Sequence, residues 1–110
     1  MCWGDPAVTR AGLHAPLSEH VAAQLAELFR AFSDANRVRL IAALLAGERS
    51  VMDLADEVGI SASATSHHMR GLRLMQLVRT RKEGRQVFYR LDDDHVAALF
   101  TQGLSHVQHG

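Results

Sequence analysis

Two helical patterns separated by one glycine, followed at once by a switch to strand alternation, constrain this chain more than any other feature. Ser50 and Asp53 resemble a capping box that opens a short helix, with Met52, Leu54, Ala55 and Val58 as its buried side. Gly59 stops that helix, Ile60 is placed to act as a hydrophobic staple, and Ser61 caps a longer helix to about Met75. Met69, Leu72 and Met75 of this helix face inward. The period then changes. Val78–Arg81 and Gln86–Leu91 read as strands, joined by the turn Lys82-Glu83-Gly84-Arg85, where Gly84 can supply a positive φ. A short helix, a glycine turn and a second helix make a helix-turn-helix, and a basic hairpin directly after it is a wing.

The flanking segments are helical too. Ser18 opens a helix to about Phe32, with Val21, Leu25, Leu28, Phe29 and Phe32 at helical spacing. Asp34 caps a second helix to Ala46, striped by Val38, Ile41, Leu44 and Leu45 and ended by Gly47. A last helix, about Asp93 to Val107, carries Val96, Leu99, Phe100, Gly103 and Val107 on one stripe suited to helix–helix packing. The expected fold is mainly α with a small β-hairpin: a winged helix-turn-helix over residues 16–110 that dimerises through its terminal helices. Residues 1–15, with Gly4, Pro6 and Gly12, read as a flexible arm. An apolar fraction of 47% is enough for one core in 110 residues. No apolar run is long enough to cross a membrane, and no signal-peptide layout is visible. The single cysteine, Cys2, excludes an internal disulfide and fits a reducing cytoplasm.

Net charge is zero, but its distribution is not even. Residues 70–90 hold Arg70, Arg73, Arg79, Arg81, Lys82, Arg85 and Arg90 against Glu83 alone. A localised basic stripe is the footprint of phosphate contact, although most charge runs are simply solvated. The longer helix of the pair presents a small polar face: Ser63, Thr65, Ser66, His67 and Arg70. Short hydroxyl side chains let a helix sit deep in the major groove. Ser63, Ser66 and His67 are assigned to reading and Arg70 to phosphate, with His68 as a packing or surface residue. Arg81, Lys82, Arg85 and Gln86 of the wing are assigned to phosphates or the minor groove. Double-stranded DNA is therefore the expected partner.

The last helix carries Asp93-x-His95 at one end and His106-x-x-His109 at the other. His95 and His106 share a face but sit ~16 Å apart along the axis, whereas zinc needs donors at ~2.0–2.2 Å. One helix thus offers two half-sites, and two antiparallel copies would complete two intersubunit sites. The plainer alternative is that Asp92–Asp94 cap the helix and the histidines are solvated at its C-terminus. Three imidazoles and a carboxylate suit tetrahedral Zn(II); a six-coordinate Co(II) or Ni(II) site needs two more donors. Spare acid/base residues beside these ligands and a substrate cleft are lacking, so the chain does not read as an enzyme.

Several segments, in order, resemble one family. Ala31-Phe32-Ser33-Asp34-Ala35-Asn36-Arg37-Val38-Arg39-Leu40 opens the match. Asp53-Leu54-Ala55, then Ser61-x-Ser63-x-x-Ser66-His67-His68-Met69-x-x-Leu72, continue it, and Gly84-Arg85-x-Val87-x-Tyr89-x-Leu91 closes it. The chain resembles the ArsR/SmtB family of winged-helix metal-sensing repressors from about Leu17 to His109. The resemblance implies a homodimer that represses its operator when metal-free and releases it on binding metal. By that resemblance, Asp93, His95, His106 and His109 match the zinc-type pattern on the last helix, and some relatives sense cobalt or nickel. It also implies that His106 reaches the main chain near Gln76. The family's second, cysteine-based site is absent or crippled, because Ser50-Val51-Met52-Asp53-Leu54 holds no cysteine. A winged-helix regulator answering a non-metal signal, such as oxidation of Cys2, is the alternative.

Overall fold

The computed structural model describes residues 16–109. The expected arm over residues 1–15, with Cys2 and His14, lies outside the described residues, as does Gly110. Along the described chain run α1 (Glu19–Ala31), α2 (Ala35–Leu44), β1 (Arg49–Ser50), α3 (Val51–Val58), α4 (Ala62–Leu74), β2 (Val78–Glu83), β3 (Gln86–Leu91) and α5 (Asp94–His109). Among these helices, none is long and apolar enough to cross a membrane.

Local chemistry sets the helix starts. The side chains of Ser18, Asp34, Ser50 and Ser61 each accept a hydrogen bond from a backbone N–H of the helix that follows. Asp93 does the same for α5, its Oδ1 accepting from the N–H groups of His95 (2.9 Å) and Val96 (3.1 Å). α3 stops at Gly59, which adopts φ 81° and donates its N–H to the Ala55 carbonyl. That left-handed turn redirects the chain into α4. α2 ends at Leu44, two residues before the expected boundary, with Gly47 in the turn beyond it.

The wing is longer than its sequence pattern suggests. Lys82 pairs with Val87 and Glu83 with Gln86, so only Gly84 and Arg85 form the loop. Gly84 at φ 62° takes the positive dihedral of this two-residue turn. At an exposed hairpin tip the backbone ladder, not side-chain burial, decides where strands end. β1 is a further strand without a sequence signal, since two residues show no alternation. It pairs antiparallel with β3 (Arg49 with Tyr89, Ser50 with Phe88), giving the sheet order β1-β3-β2. This pairing pins the start of α3 to the wing.

The core gathers Leu40 and Ile41 of α2, Leu54 of α3, and Met69 and Leu72 of α4, all fully buried. Tyr89 of β3 and Val96 and Phe100 of α5 close it. Phe32 packs on Phe100 with ring centroids 6.4 Å apart. Met52, expected on the buried side of α3, is 58% exposed. The buried arc of that helix is Leu54, Ala55 and Val58, and a residue two positions before Leu54 points away from it. A second apolar face is left open: Val21, Leu25 and Phe29 of α1 and Leu104 and Val107 of α5 are all exposed.

Candidate nucleic-acid interface and metal half-sites

α4 divides cleanly around its axis. Thr65, Met69 and Leu72 are buried, while Ser63, His67 and Arg70 are exposed and Ser66 is half-buried. Ser63, Ser66, His67 and Arg70 stand at i, i+3, i+4 and i+7, so they form one outward stripe. The inward stripe packs on α3 and β2 and joins the core that also holds Leu40 and Ile41 of α2, which turns the other stripe outward.

Thr65 does not belong to the outward stripe. It is 0% exposed, and its Oγ1 donates to the Ser61 carbonyl at 2.9 Å. The expectation that Thr65 shares the polar, DNA-facing side of this helix is therefore corrected: it is a core residue with its hydroxyl satisfied within its own helix. Its spacing, four residues before Met69 and seven before Leu72, was the signal that a polar side chain obscured. Thr65→Val keeps the shape and removes the donor. Thermal melting is expected to shift by no more than the equivalent of about 1 kcal/mol, with DNA affinity unchanged. A large loss of DNA affinity from a folded Thr65→Val protein would contradict the burial argument.

The basic stripe is also trimmed by internal pairing. Arg81 reaches Glu48 through Nη2 (2.7 Å) and Nε (3.2 Å), contacts Glu83, and lies 4.6 Å over the Phe88 ring. Hydrogen bonds to Glu48, then Glu83, raise the Arg81 pKa above its usual value. Its guanidinium is thus shared between Glu48 and Glu83 while its side chain stays 47% exposed, and exposed pairs of this kind are weak, about 0–1 kcal/mol. Arg79 is likewise paired, Nε to Asp92 Oδ1 at 2.6 Å. Among the described residues, Arg70, Arg73, Lys82, Arg85 and Arg90 have no carboxylate within 4 Å. Lys82, Arg85 and Gln86 are exposed around the hairpin tip. Sequence reasoning missed the Glu48–Arg81 and Asp92–Arg79 pairs, whose partners lie 33 and 13 residues apart.

The metal-type residues stand at the two ends of α5. Asp93 precedes its first turn, with Oδ2 3.6 Å from Nδ1 of His95, whose side chain is 97% exposed. Hydrogen bonding, first from the Val96 N–H and then from His95, holds the Asp93 carboxyl below its usual pKa. It is therefore ionised at neutral pH. His106 and His109 are exposed in the last turn. His109 Nδ1 lies 3.1 Å from the Ser105 carbonyl, so a proton on Nδ1 donates there and leaves Nε2 free. Among the described residues of one chain, no three His, Cys, Asp or Glu side chains come together to hold a metal. Each end supplies one pair of donors.

The segment leading into α5 is joined to the end of α4. The Asp92 N–H donates to the Leu77 carbonyl (2.9 Å), and the Leu77 N–H donates to the Leu72 carbonyl (3.0 Å). Between them, Gln76 adopts φ 62°, an uncommon conformation for a residue with a side chain.

Residues 34–80 match the family described as bacterial regulatory protein, arsR family. The HTH-type transcriptional regulator KmtR of Mycobacterium tuberculosis is 38% identical over 94 residues, which cover 86% of this chain and 72% of that protein. A transcriptional repressor SmtB homolog of Synechocystis is 45% identical over 87 residues, covering 79% of this chain and 66% of the relative. Among solved structures, the homodimeric winged helix-turn-helix DNA-binding domain of a possible ArsR-family regulator from Mycobacterium bovis superposes with a TM-score of 0.74 at 29% identity. That match covers 86% of this chain and 90% of the other.

Proposed function

Because this chain belongs to the ArsR family of bacterial regulatory proteins, DNA-binding regulators and not enzymes, we propose that it is a metal-responsive transcriptional repressor. Its homodimer holds operator DNA when metal-free and releases it when Zn(II) is held between the α5 helices of two protomers. The observation that carries this reading is the placing of exposed donor pairs at opposite ends of α5.

The donors fit such a site. Asp93 spends Oδ1 on capping α5 and keeps Oδ2 available. His109 can hold its Nδ1 proton on the Ser105 carbonyl and present Nε2. An antiparallel second α5 sets Asp93 and His95 of one protomer against His106 and His109 of its partner. The set of three imidazoles and a carboxylate is of the borderline hardness that zinc accepts. When bound, the ion supplies a cross-link between two helices.

The chain's own bonds carry the consequence to DNA. Asp92, beside the Asp93 half-site, is hydrogen-bonded to Leu77, and Leu77 to the last turn of α4. A change in the position of the first turn of α5 is therefore felt at the end of the recognition helix. Two such helices must match half-sites about one DNA turn apart, so a small change in their spacing weakens binding. The coupling is reciprocal: DNA weakens metal by the factor by which metal weakens DNA. Ser63, Ser66 and His67 read bases, Arg70 holds phosphate, and Lys82, Arg85 and Gln86 of the wing follow the backbone. As a repressor of chromosomal DNA, the protein acts in the cytoplasm.

The test is fluorescence anisotropy on a duplex from the protein's own promoter, titrated with zinc, then cobalt and nickel, with chelator reversal. Tight metal-free binding, lost with zinc and restored by chelator, is the expected result. Stronger release by cobalt or nickel would reassign the metal within the same architecture. Binding that ignores every metal would sink the sensor reading and leave a winged-helix regulator with another signal.

A further inference from the structure

Beside the outward stripe of α4 lies a small open cavity of about 170 Å³, lined by Arg37, His67, His68, Gly71 and Met75. His67, Gly71 and Met75 stand at i, i+4 and i+8, so the cavity runs along one flank of the helix. His67 belongs both to this flank and to the stripe that carries Ser63, Ser66 and Arg70. The cavity is therefore continuous with the reading face.

Its far wall is α2. Arg37 lies in the first turn of that helix, where its N–H donates to Asp34 Oδ1 at 3.1 Å. That capped turn fixes the root of the side chain. Unlike Arg79 and Arg81, Arg37 has no carboxylate within 4 Å of its guanidinium among the described residues. The nearby Asp34 carboxylate takes the N–H groups of Asn36 and Arg37 on Oδ1 alone, and its negative charge acts on both Arg37 and His68, so a phosphate bound here shares these cations with Asp34. The His67 and His68 rings are 6.2 Å apart on the helix side. A Cβ built at Gly71 would meet nothing within 4 Å, so this wall is open.

A helix about 10–12 Å across fills a major groove about 12 Å wide, which leaves its flanks against the bordering phosphates. A guanidinium with unused donors and two imidazoles on such a flank match the chemistry of a phosphodiester oxygen pair. We propose that Arg37, His67 and His68 form a clamp for one DNA backbone phosphate per protomer, positioning α4 in the groove. The clamp rests on α4 being the groove-entering helix. It extends the interface to α2, moves His67 from base reading to backbone contact, and gives His68, first read as a packing or surface residue, a contact role.

The experiment compares wild type, Arg37→Gln and Arg37→Lys by anisotropy across a salt series, without metal, with thermal melting as the folding control. Arg37→Gln is expected to flatten the dependence of log K on log salt by about one unit per protomer, about two per dimer, and to weaken operator and unrelated duplexes alike. Arg37→Lys keeps the slope. A second arm leaves the protein untouched: single methylphosphonates are scanned along the duplex. One neutralised phosphate per half-site is expected to weaken wild type but not Arg37→Gln. An unchanged slope together with a flat difference scan would overturn the clamp while leaving the DNA-binding reading intact. A wild type that binds no duplex would overturn both. Inorganic phosphate at constant ionic strength separates a free-anion site: weakening of wild type alone, with a flat methylphosphonate difference, also overturns the clamp.

Discussion

A dimer carrying His106→Asn is expected to bind operator DNA as tightly as the parent without metal and to ignore added zinc. His106 is exposed in the last turn of α5 and makes no contact on which the core depends. Surface changes of this kind usually alter stability by about 0.5 kcal/mol or less. The asparagine removes one of four proposed donors, and with it the distal ring N–H that the family resemblance directs toward the main chain near Gln76. Coupling energies in such switches are about 1–3 kcal/mol, or about 5- to 150-fold in affinity. That whole factor should vanish. Anisotropy with and without zinc reads it directly. If the variant is still released to the same degree, α5 is not where metal acts.

Leu104→Glu is expected to turn the dimer into a monomer. Leu104 and Val107 of α5 with Phe29 of α1 border an open apolar groove of about 380 Å³, and Phe29 is 53% exposed in the single chain. An apolar face of this kind is what a second copy buries, and a two-fold interface repeats every substitution twice. Leu104 has 41% of its surface left for a second copy to bury, so its loss costs about 1 kcal/mol per copy, and burying an unpaired carboxylate there adds about 1 kcal/mol or more. The dimer constant should weaken on the order of a hundred- to ten-thousand-fold. Sedimentation equilibrium measures this, and operator affinity should fall in parallel because a monomer reaches one half-site. The helix itself should survive, as glutamate is a good helix former. A variant that remains dimeric at the same concentration would move the interface elsewhere.

The two proposals differ in how far the sequence already carried them. The half-sites on α5 were legible because a helix has a fixed rise, so spacing alone separates His95 from His106. The phosphate clamp was not. Arg37 and His68 are 31 positions apart in number, and only the shared core of α2, α3 and α4 brings them to one cavity. Ser63, Ser66, His67 and Arg70 were legible as a face because they repeat at helical spacing. Thr65 was misplaced because its hydroxyl suggested solvent, while its spacing from Met69 and Leu72 put it inside.

The sequence by itself determined the order of the helices and of the two wing strands, the serine and aspartate caps, the stop at Gly59 and the turn at Gly84. Each of these depends on a few neighbouring residues: a side chain bonding an N–H two or three positions on, or a glycine accepting a positive φ. Tertiary structure alone decided how many of the charges are paired within the fold and how β1 anchors the wing. Arg79 and Arg81 look like their unpaired neighbours in composition, yet Asp92 and Glu48 meet them across the fold. An ion pair follows Coulomb's law in space and takes no account of separation along the chain. Helix and turn signals are local and were readable. The free surface is what remains after distant groups have met.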